Sequence, residues 1–172
     1  MVQELIDLRA SILEGRSEDA LAIIDELEGM SKQAIIRNIE SFLLRLLVHL
    51  IKNQVEQKLT NSWAASIADS VRQIKKLNLK DNKKSYYIQQ NEWQSFLEEA
   101  LDAAMIEASV EVSQGAYTPK QLNQVVNHQT ILLVAQKLLD FTYSYSPREL
   151  LTVVQDNFAE LPGGKDWLSN RE

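Results

Sequence analysis

Residues 32–59 read KQAIIRNIESFLLRLLVHLIKNQVEQKL, and this stretch indicates the fold class. Projected at about 100° per residue, its apolar side chains form one broad stripe and continue round the far side. The stripe contains Ile35, Ile36, Ile39, Phe42, Leu43, Leu46, Leu47 and Leu50, and the far side contains Leu44, Val48 and Ile51. A helix with so much apolar surface must be covered on most sides. We therefore expect residues 32–59 to form the long central helix of a bundle.

Helix start and stop signals divide the remainder of the chain. Gly15, Gly29 and Gly115 each follow an apolar-periodic segment, where a helix C-cap favours a residue without a Cβ. Thr118-Pro119 and Ser146-Pro147 each combine a hydroxyl N-cap with a proline at the first helical position. The predicted helices are 2–14, 18–28, 32–59, 62–78, 92–114, 119–126, 128–143 and 147–159. No segment alternates apolar and polar residues as a half-buried strand does, so the prediction is an all-α fold without a sheet.

Length and composition favour one domain. The chain has 172 residues and 45% hydrophobic content, and we expect a single helical domain over 1–160 and a short C-terminal tail, 161–172. The sequence contains no cysteine, which excludes disulfides and thiolate metal sites. The apolar run Phe42–Ile51 includes Arg45 and His49 and is shorter than the about 20 residues of a membrane span. The first residues show no export-signal pattern, so we expect a cytoplasmic protein without a membrane segment.

Three segments between residues 20 and 112 contain recognisable motifs. They are Glu28-Gly29-Met30-Ser31-Lys32 with Ile39, Ser41 and Leu46-Leu47-Val48-His49-Leu50-Ile51-Lys52; Ser62-Trp63 with Ile67 and Arg72; and Asn91-Glu92-Trp93 with the helix that follows. Together these motifs resemble the family of unknown function numbered twenty-nine, which is abundant in cyanobacteria. The connection 78–90 is longer than is usual there, and the chain extends beyond Gly115. The resemblance implies a helical domain in a cyanobacterial cytoplasm, and it brings no established activity, substrate or catalytic residue.

One polar strip interrupts the apolar central helix. It consists of Arg45, His49, Lys52 and Glu56, whose spacing of four, three and four residues aligns their side chains. The strip could hold an anion or position a proton-transfer group, which would suit an enzyme centred on His49. The alternative is a histidine at the edge of the core, with its neighbours in water. We expect no metal, because Leu46 and Val125 stand where a carboxylate-bridged bundle has an acid three residues before each histidine.

A basic stretch lies between Arg72 and Lys84. Its six basic residues are Arg72, Lys75, Lys76, Lys80, Lys83 and Lys84, and Asp81 is its single acid. The stretch therefore carries +5, whereas the whole chain carries −6 and the remainder −11. Tyr86 and Tyr87 follow, and lysines beside aromatic rings are typical of surfaces that bind single-stranded nucleic acid or another anion. The alternative is a solvated helix end followed by a flexible linker.

Helix 128–143 has an apolar residue on its polar face. Leu133 lies among Gln136, Lys137 and Asp140. An isolated exposed leucine is common in soluble proteins. A candidate interface for a partner or a second copy consists of Leu133, Tyr143, Tyr145 and Trp167.

These features favour a helical module that binds another protein or itself and has no catalytic activity. The alternative is nucleic-acid or anionic-ligand binding through residues 72–84, and a weaker one is an enzyme centred on His49. The glycines form no phosphate-binding loop, and we expect no cofactor. The pattern does not decide whether residues 78–90 form a loop or extend a helix.

Overall fold

The structure, a computed structural model, describes residues 2–169. Over these residues the fold is all-α, with eight α-helices and no strand. The helices are α1 (Val2–Leu13), α2 (Ser17–Glu56), α3 (Asn61–Asn78), α4 (Trp93–Glu111), α5 (Pro119–Val125), α6 (His128–Ser144), α7 (Pro147–Asn157) and α8 (Gly164–Ser169). Short 3₁₀ turns occupy Gln90–Glu92, Val112–Gly115 and Phe158–Glu160. None of these helices combines the length and the apolar character that a membrane crossing requires.

The long helix α2 corrects the prediction for the first third of the chain. The predicted helices 18–28 and 32–59 form one continuous helix, Ser17–Glu56, and Gly29 does not end it. A glycine inside a helix costs only about 1 kcal/mol, which the good helix formers on both sides of Gly29 offset. The helix ends three residues earlier than predicted, because Gln57 adopts a left-handed conformation with a φ of 53°.

The chain divides into two compact units, Met1–Asn38 and Ile39–Glu172. The first unit contains α1 and the N-terminal part of α2. In the second unit, the remainder of α2 contributes five fully buried aliphatic side chains to a core that also contains the fully buried Trp93 and Phe158. The fully buried residues of this part of α2 are Ile39, Leu43, Leu46, Leu47 and Ile51. Helix α3 packs on α6 and α7, and α4 packs on α5 and α6.

Local capping explains where the later helices begin. Thr118 and Ser146 are N-caps as predicted, each forms a capping box with the residue three positions later, Gln121 or Glu149, and each proline occupies the first turn of its helix. Thr60 and Asn127 also cap helices, by accepting hydrogen bonds from the backbone N–H groups of Trp63 and Thr130. In each of the helices that start at residues 61, 119, 128 and 147, the cap side chain therefore satisfies one N–H group of the first turn.

Residues 158–169, at the end of the described chain, pack closely on the connection between α2 and α3. The Nδ2 atom of the buried Asn53 donates to the carbonyl oxygens of Lys58 and Pro162, at 3.0 and 2.8 Å. Gly163 has a φ of 71°, and a Cβ atom there would lie 2.8 Å from the Cα atom of Lys58. Helix α8, which the sequence analysis did not predict, starts at Gly164 and buries Trp167.

Candidate anion-binding site

A pocket of about 440 Å³ lies between the C-terminal half of α3, the loop after it and the start of α7. Its lining residues are Arg72, Lys75, Lys76, Leu79, Lys80, Asp81, Lys83, Pro147 and Leu150. Five of the six basic residues singled out in the sequence are therefore brought together, and Lys84 is the one that does not line the pocket. We call this site the basic pocket.

The pocket has an apolar side that the sequence analysis missed. The lining includes Leu150, which is fully buried, together with Pro147, which is exposed, and Leu79, which is half-buried; the last two supply the accessible aliphatic surface. The first two of these belong to α7, which packs on α3 although about 70 residues separate them in sequence. Nothing in the local pattern around residues 72–84 indicates this tertiary contact.

The loop between Leu79 and Gln89 is ordered by short-range hydrogen bonds and does not extend α3. The Lys80 N–H donates to the Ser85 carbonyl oxygen at 2.9 Å, and the Lys83 N–H donates to the Lys80 carbonyl oxygen at 2.8 Å. The Asn82 Oδ1 atom accepts from the N–H groups of Lys84 and Ser85. The resulting turn presents Lys80 and Lys83 to the pocket.

Lys83 occupies a conformation that normally favours glycine. Its φ of 57° lies in the left-handed region, which costs a residue with a Cβ atom roughly 1 kcal/mol. Strained backbone of this kind is enriched at functional sites. Lys83 therefore keeps a charge at the pocket at some cost in backbone energy.

Buried hydrogen bonds fasten the base of this loop. The side-chain amide of Asn78 donates to the Ile88 carbonyl oxygen at 2.9 Å and accepts from the Ile88 N–H at 2.7 Å. The Tyr143 hydroxyl accepts from Trp93 Nε1 at 2.7 Å and from Asn78 Nδ2 at 3.1 Å, and it donates to the Ile88 carbonyl oxygen at 2.7 Å. Residues from α3, α4 and α6 thus hold one end of the loop in place.

The cations of the basic pocket differ in what their charges already contact. Arg72 is paired with Asp69, 2.8 Å away, and Lys80 lies over the ring of Tyr87, 5.3 Å from its centroid. Lys75 is buried and donates from Nζ to the Thr142 carbonyl oxygen, near the C-terminus of α6, and burial lowers its pKa. Its ammonium group is thus already used within the protein.

Two ammonium groups at the pocket remain available. Within residues 2–169, the side chains of Lys76 and Lys83 have neither an ion pair nor a hydrogen bond, and both residues are exposed. Asp81 lies at the same rim and offsets part of their charge. The site can therefore offer at least two free cations beside an apolar wall.

The sequence over residues 8–131 matches the family described as the domain of unknown function DUF29. The chain belongs to the DUF29 family. A search of the curated proteins found no match, and neither did a search of the solved structures. The residues matched by DUF29 include the whole basic stretch, whereas Tyr143, Pro147 and Leu150 lie beyond them. The basic pocket of this DUF29 protein therefore combines residues from the family region with residues from the segment that follows it.

The polar strip of α2 forms ion pairs with α3 and α4. Arg45 contacts Asp69 at 3.0 Å, and Lys52 contacts Glu111 at 2.7 Å. His49 places its Nδ1 atom 2.8 Å from the carbonyl oxygen of Arg45, and burial lowers its pKa. Glu56 lies 3.7 Å from Lys58. All four side chains of the strip have protein partners, as expected of a structural role at the edge of the core.

The four residues of the candidate interface do not share one surface. Leu133 is 63% exposed, and Tyr145 is exposed and packs against Phe141. Tyr143 points inward to its hydrogen-bonded network, and Trp167 is 7% exposed and packs against a core phenylalanine. Of the four, Leu133 and Tyr145 alone present apolar side chains to solvent. Over the described residues, no three histidine or acidic side chains come together as a metal site.

Proposed function

We propose that this DUF29 protein binds a small organic anion in the basic pocket. One observation supports this proposal above the others: two unpaired ammonium groups, Lys76 and Lys83, lie beside the apolar wall of a concave site. Ligand pockets typically have this combination of apolar lining and a few charged groups that fix orientation. The cytoplasmic setting, and the cyanobacterial one that the resemblance implies, stay predictions.

The lining favours a ligand with a carboxylate or phosphate group on a compact apolar body. The anionic group would contact Lys76 and Lys83, and the body would lie against Leu79 and Pro147, with the buried Leu150 beneath them. A volume of about 440 Å³ is within the range of small-molecule sites. The charge of −11 outside residues 72–84 would repel a long polyanion more than a small one.

Like charges at the pocket also supply a driving force. Lys76 of α3 and Lys83 of the loop have no ion pair within the described residues, and Lys80 lines the same pocket, so these charges repel one another. Arg72 adds less, because it is already paired with Asp69. An anion between these groups would relieve the repulsion, and its affinity would fall as salt screens the charges.

Isothermal titration calorimetry of the whole chain tests the proposal by measuring its affinity for phenyl phosphate, inorganic phosphate and a short single-stranded oligonucleotide. We expect phenyl phosphate to bind more tightly than inorganic phosphate, because the apolar wall contacts the ring. Lys76→Gln and Lys83→Gln should each weaken binding about tenfold, which corresponds to about 1.4 kcal/mol. Lys84→Gln is the matched control, because it removes the same charge next to the pocket without altering its lining.

Three results would overturn the proposal. One is the absence of binding by any of the probes at low salt. The second is a Lys84→Gln variant that binds phenyl phosphate as weakly as Lys76→Gln does, which would mean that overall charge alone attracts the anion. The third is an oligonucleotide that binds much more tightly than phenyl phosphate, which would favour nucleic acid as the ligand.

A protein-interaction module remains the second candidate function. It is supported by an unusual number of exposed large apolar side chains in the first compact unit. Large exposed apolar patches commonly mark interaction surfaces.

A further inference from the structure

Helix α1 leaves most of its large apolar side chains exposed, and Leu8 is the one that is half-buried. Its single buried residue is Ser11, whose hydroxyl donates to the Asp7 carbonyl oxygen at 2.8 Å. Five large apolar residues of the same helix are 50–77% exposed: Val2, Leu5, Ile6, Ile12 and Leu13. A helix in its final environment normally shows the opposite arrangement.

The part of α2 in the same unit also exposes large apolar side chains. Leu21, Ile24 and Met30 are exposed there, whereas the small Ala20 is buried. We call Val2–Leu13 and residues 17–38 together the N-terminal hairpin. Its eight exposed apolar side chains present on the order of 800 Å², which is what one partner contributes to an interface of standard size. An isolated helix of 12 residues is also only marginally stable in water, so the hairpin would gain from being covered.

Charge along α2 indicates what covers the hairpin. Residues 17–28 contain five acids and no base, whereas residues 29–38 contain two bases and no acid. The acids are Glu18, Asp19, Asp25, Glu26 and Glu28, and the bases are Lys32 and Arg37. When two copies of this segment lie antiparallel, the acidic half of each copy faces the basic half of the other. A two-fold interface requires self-complementarity of this kind.

We propose that the N-terminal hairpin pairs with the hairpin of a second copy of this chain, with the two α2 helices antiparallel and crossing near Glu28. The four helices then form a small bundle that covers the exposed apolar side chains. In this register, Asp25 of each copy lies close to Lys32 of the other. Leu21, Ile24 and Glu28 share one face of α2 by their spacing of three and four residues, and this face meets its own copy. The two Glu28 carboxylates near the axis repel each other, and Lys32, one turn away on each helix, offsets that repulsion.

Light scattering on a size-exclusion column measures the mass of the whole chain. We expect a dimer for the natural sequence, and a monomer with an unchanged helical spectrum for Ile12→Glu at the same concentration. Ile12 is 62% exposed, so its replacement removes no core contact. Leu133→Glu is the matched control, since Leu133 is 63% exposed in the second compact unit, and it should leave the dimer intact. A monomeric natural sequence at its highest soluble concentration, or loss of the dimer through Leu133→Glu, would overturn the proposal.

A charge reversal tests the antiparallel register. Lys32→Glu should weaken the dimer at least several-fold, and adding Asp25→Lys to the same chain should restore it. The two residues are seven apart on one helix, about 10 Å along its axis, so restoration arises between copies. Failure of the double variant to recover would refute this register.

Single cysteines give an independent test, because the chain contains none. Glu28→Cys lies near the two-fold axis of an antiparallel pair and should form a disulfide-linked dimer on mild oxidation. Ser17→Cys lies far from the axis and should not. Efficient cross-linking at both positions would indicate parallel helices and contradict the proposal.

Discussion

The structure predicts that the Tyr143 hydroxyl group makes a large contribution to the free energy of unfolding. It joins three groups by hydrogen bonds: Trp93 Nε1, Asn78 Nδ2 and the Ile88 carbonyl oxygen. Tyr143→Phe deletes only the oxygen atom, so it tests these bonds without changing the packing of the ring against Tyr86.

The expected loss follows from which groups become unpaired. The Ile88 carbonyl oxygen keeps the hydrogen bond from Asn78, so it remains satisfied. Trp93 Nε1–H and the second Asn78 N–H lose their acceptor, and both residues are buried. An unsatisfied buried donor costs about 1 to 3 kcal/mol, so the variant should lose about 3 kcal/mol of unfolding free energy. For a chain of this size that corresponds to a melting temperature lower by roughly 6 to 12 °C.

Urea unfolding followed by circular dichroism measures this loss. Tyr145→Phe, which removes an exposed hydroxyl group from the end of the same helix, is the control and should change stability by less than about 0.5 kcal/mol. A loss below about 1 kcal/mol for Tyr143→Phe would refute the reasoning, because it would mean that water or a rearranged donor satisfies Trp93 and Asn78.

Alkaline pH provides a second assay of the same group. Burial raises the pKa of Tyr143 to about 12, whereas an unfolded tyrosine ionises near 10. The unfolded chain therefore loses this proton first, and stability falls as pH rises from about 10 to about 12. Tyr143→Phe lacks this group, so the stability difference between the variant and the natural sequence should narrow over that range.

Three further substitutions test other parts of the fold. Gly29→Ala should stabilise α2 by about 1 kcal/mol, since a Cβ atom there meets nothing within 4 Å. A lower melting temperature of the variant, followed by circular dichroism, would contradict a continuous helix through residue 29. Gly164→Ala should destabilise by about 3 kcal/mol and shift Trp167 fluorescence to the red, because its Cβ atom would lie 1.6 Å from the Phe158 carbonyl oxygen; unchanged fluorescence would contradict this packing. Burial lowers the pKa of His49, so as the pH falls the unfolded chain takes up a proton on this histidine before the folded chain does, and stability decreases below about pH 6.5. His49→Gln should make this decrease in stability smaller. The same decrease in the variant and the natural sequence would exclude the effect.

The local parts of the fold could be predicted from the sequence. The helices that begin at Pro119 and Pro147 start where predicted, because a capping box involves residues only three apart. The periodicity of residues 32–59 predicted a helix covered on most sides. Most of the apolar side chains from Ile39 to Ile51 are buried, whereas Ile35 and Ile36 are only half-buried and residues 32–34 are exposed. The helix end predicted at Gly29 is wrong, because a glycine is compatible with a helix end and with a helix interior, and α2 continues through this residue.

The candidate site could be predicted only in part, because its two sides come from distant segments. Lysines clustered at residues 72–84 are visible in the sequence, but the wall from Pro147 and Leu150 depends on the packing of α7 on α3. The same limit applies to Tyr143, which was predicted as an interface residue. Its partners Asn78, Ile88 and Trp93 lie 50 or more residues away, and no periodic pattern reveals such contacts.

The order of the loop after α3 is what makes its lysines a site. In a flexible linker, Lys80 and Lys83 would move apart by repulsion, and a ligand would have to immobilise them at a cost of about 0.5 to 1.5 kcal/mol for each side chain. Here the side chain of Asn78 holds the base of the loop in the folded protein, through two hydrogen bonds to Ile88.

Asn78→Ala should therefore weaken phenyl phosphate binding by about tenfold, although Asn78 does not line the basic pocket. Asn53→Ala is the matched control: it also removes a buried asparagine that makes two hydrogen bonds to backbone, but it holds Pro162 instead of the loop, so affinity should be unchanged. If Asn78→Ala does not fold, Tyr143→Phe tests the same anchor more mildly and should weaken binding in the same direction. Equal affinities for Asn78→Ala, Tyr143→Phe and Asn53→Ala would show that the ligand orders the loop by itself, and the argument from preorganisation would then be wrong.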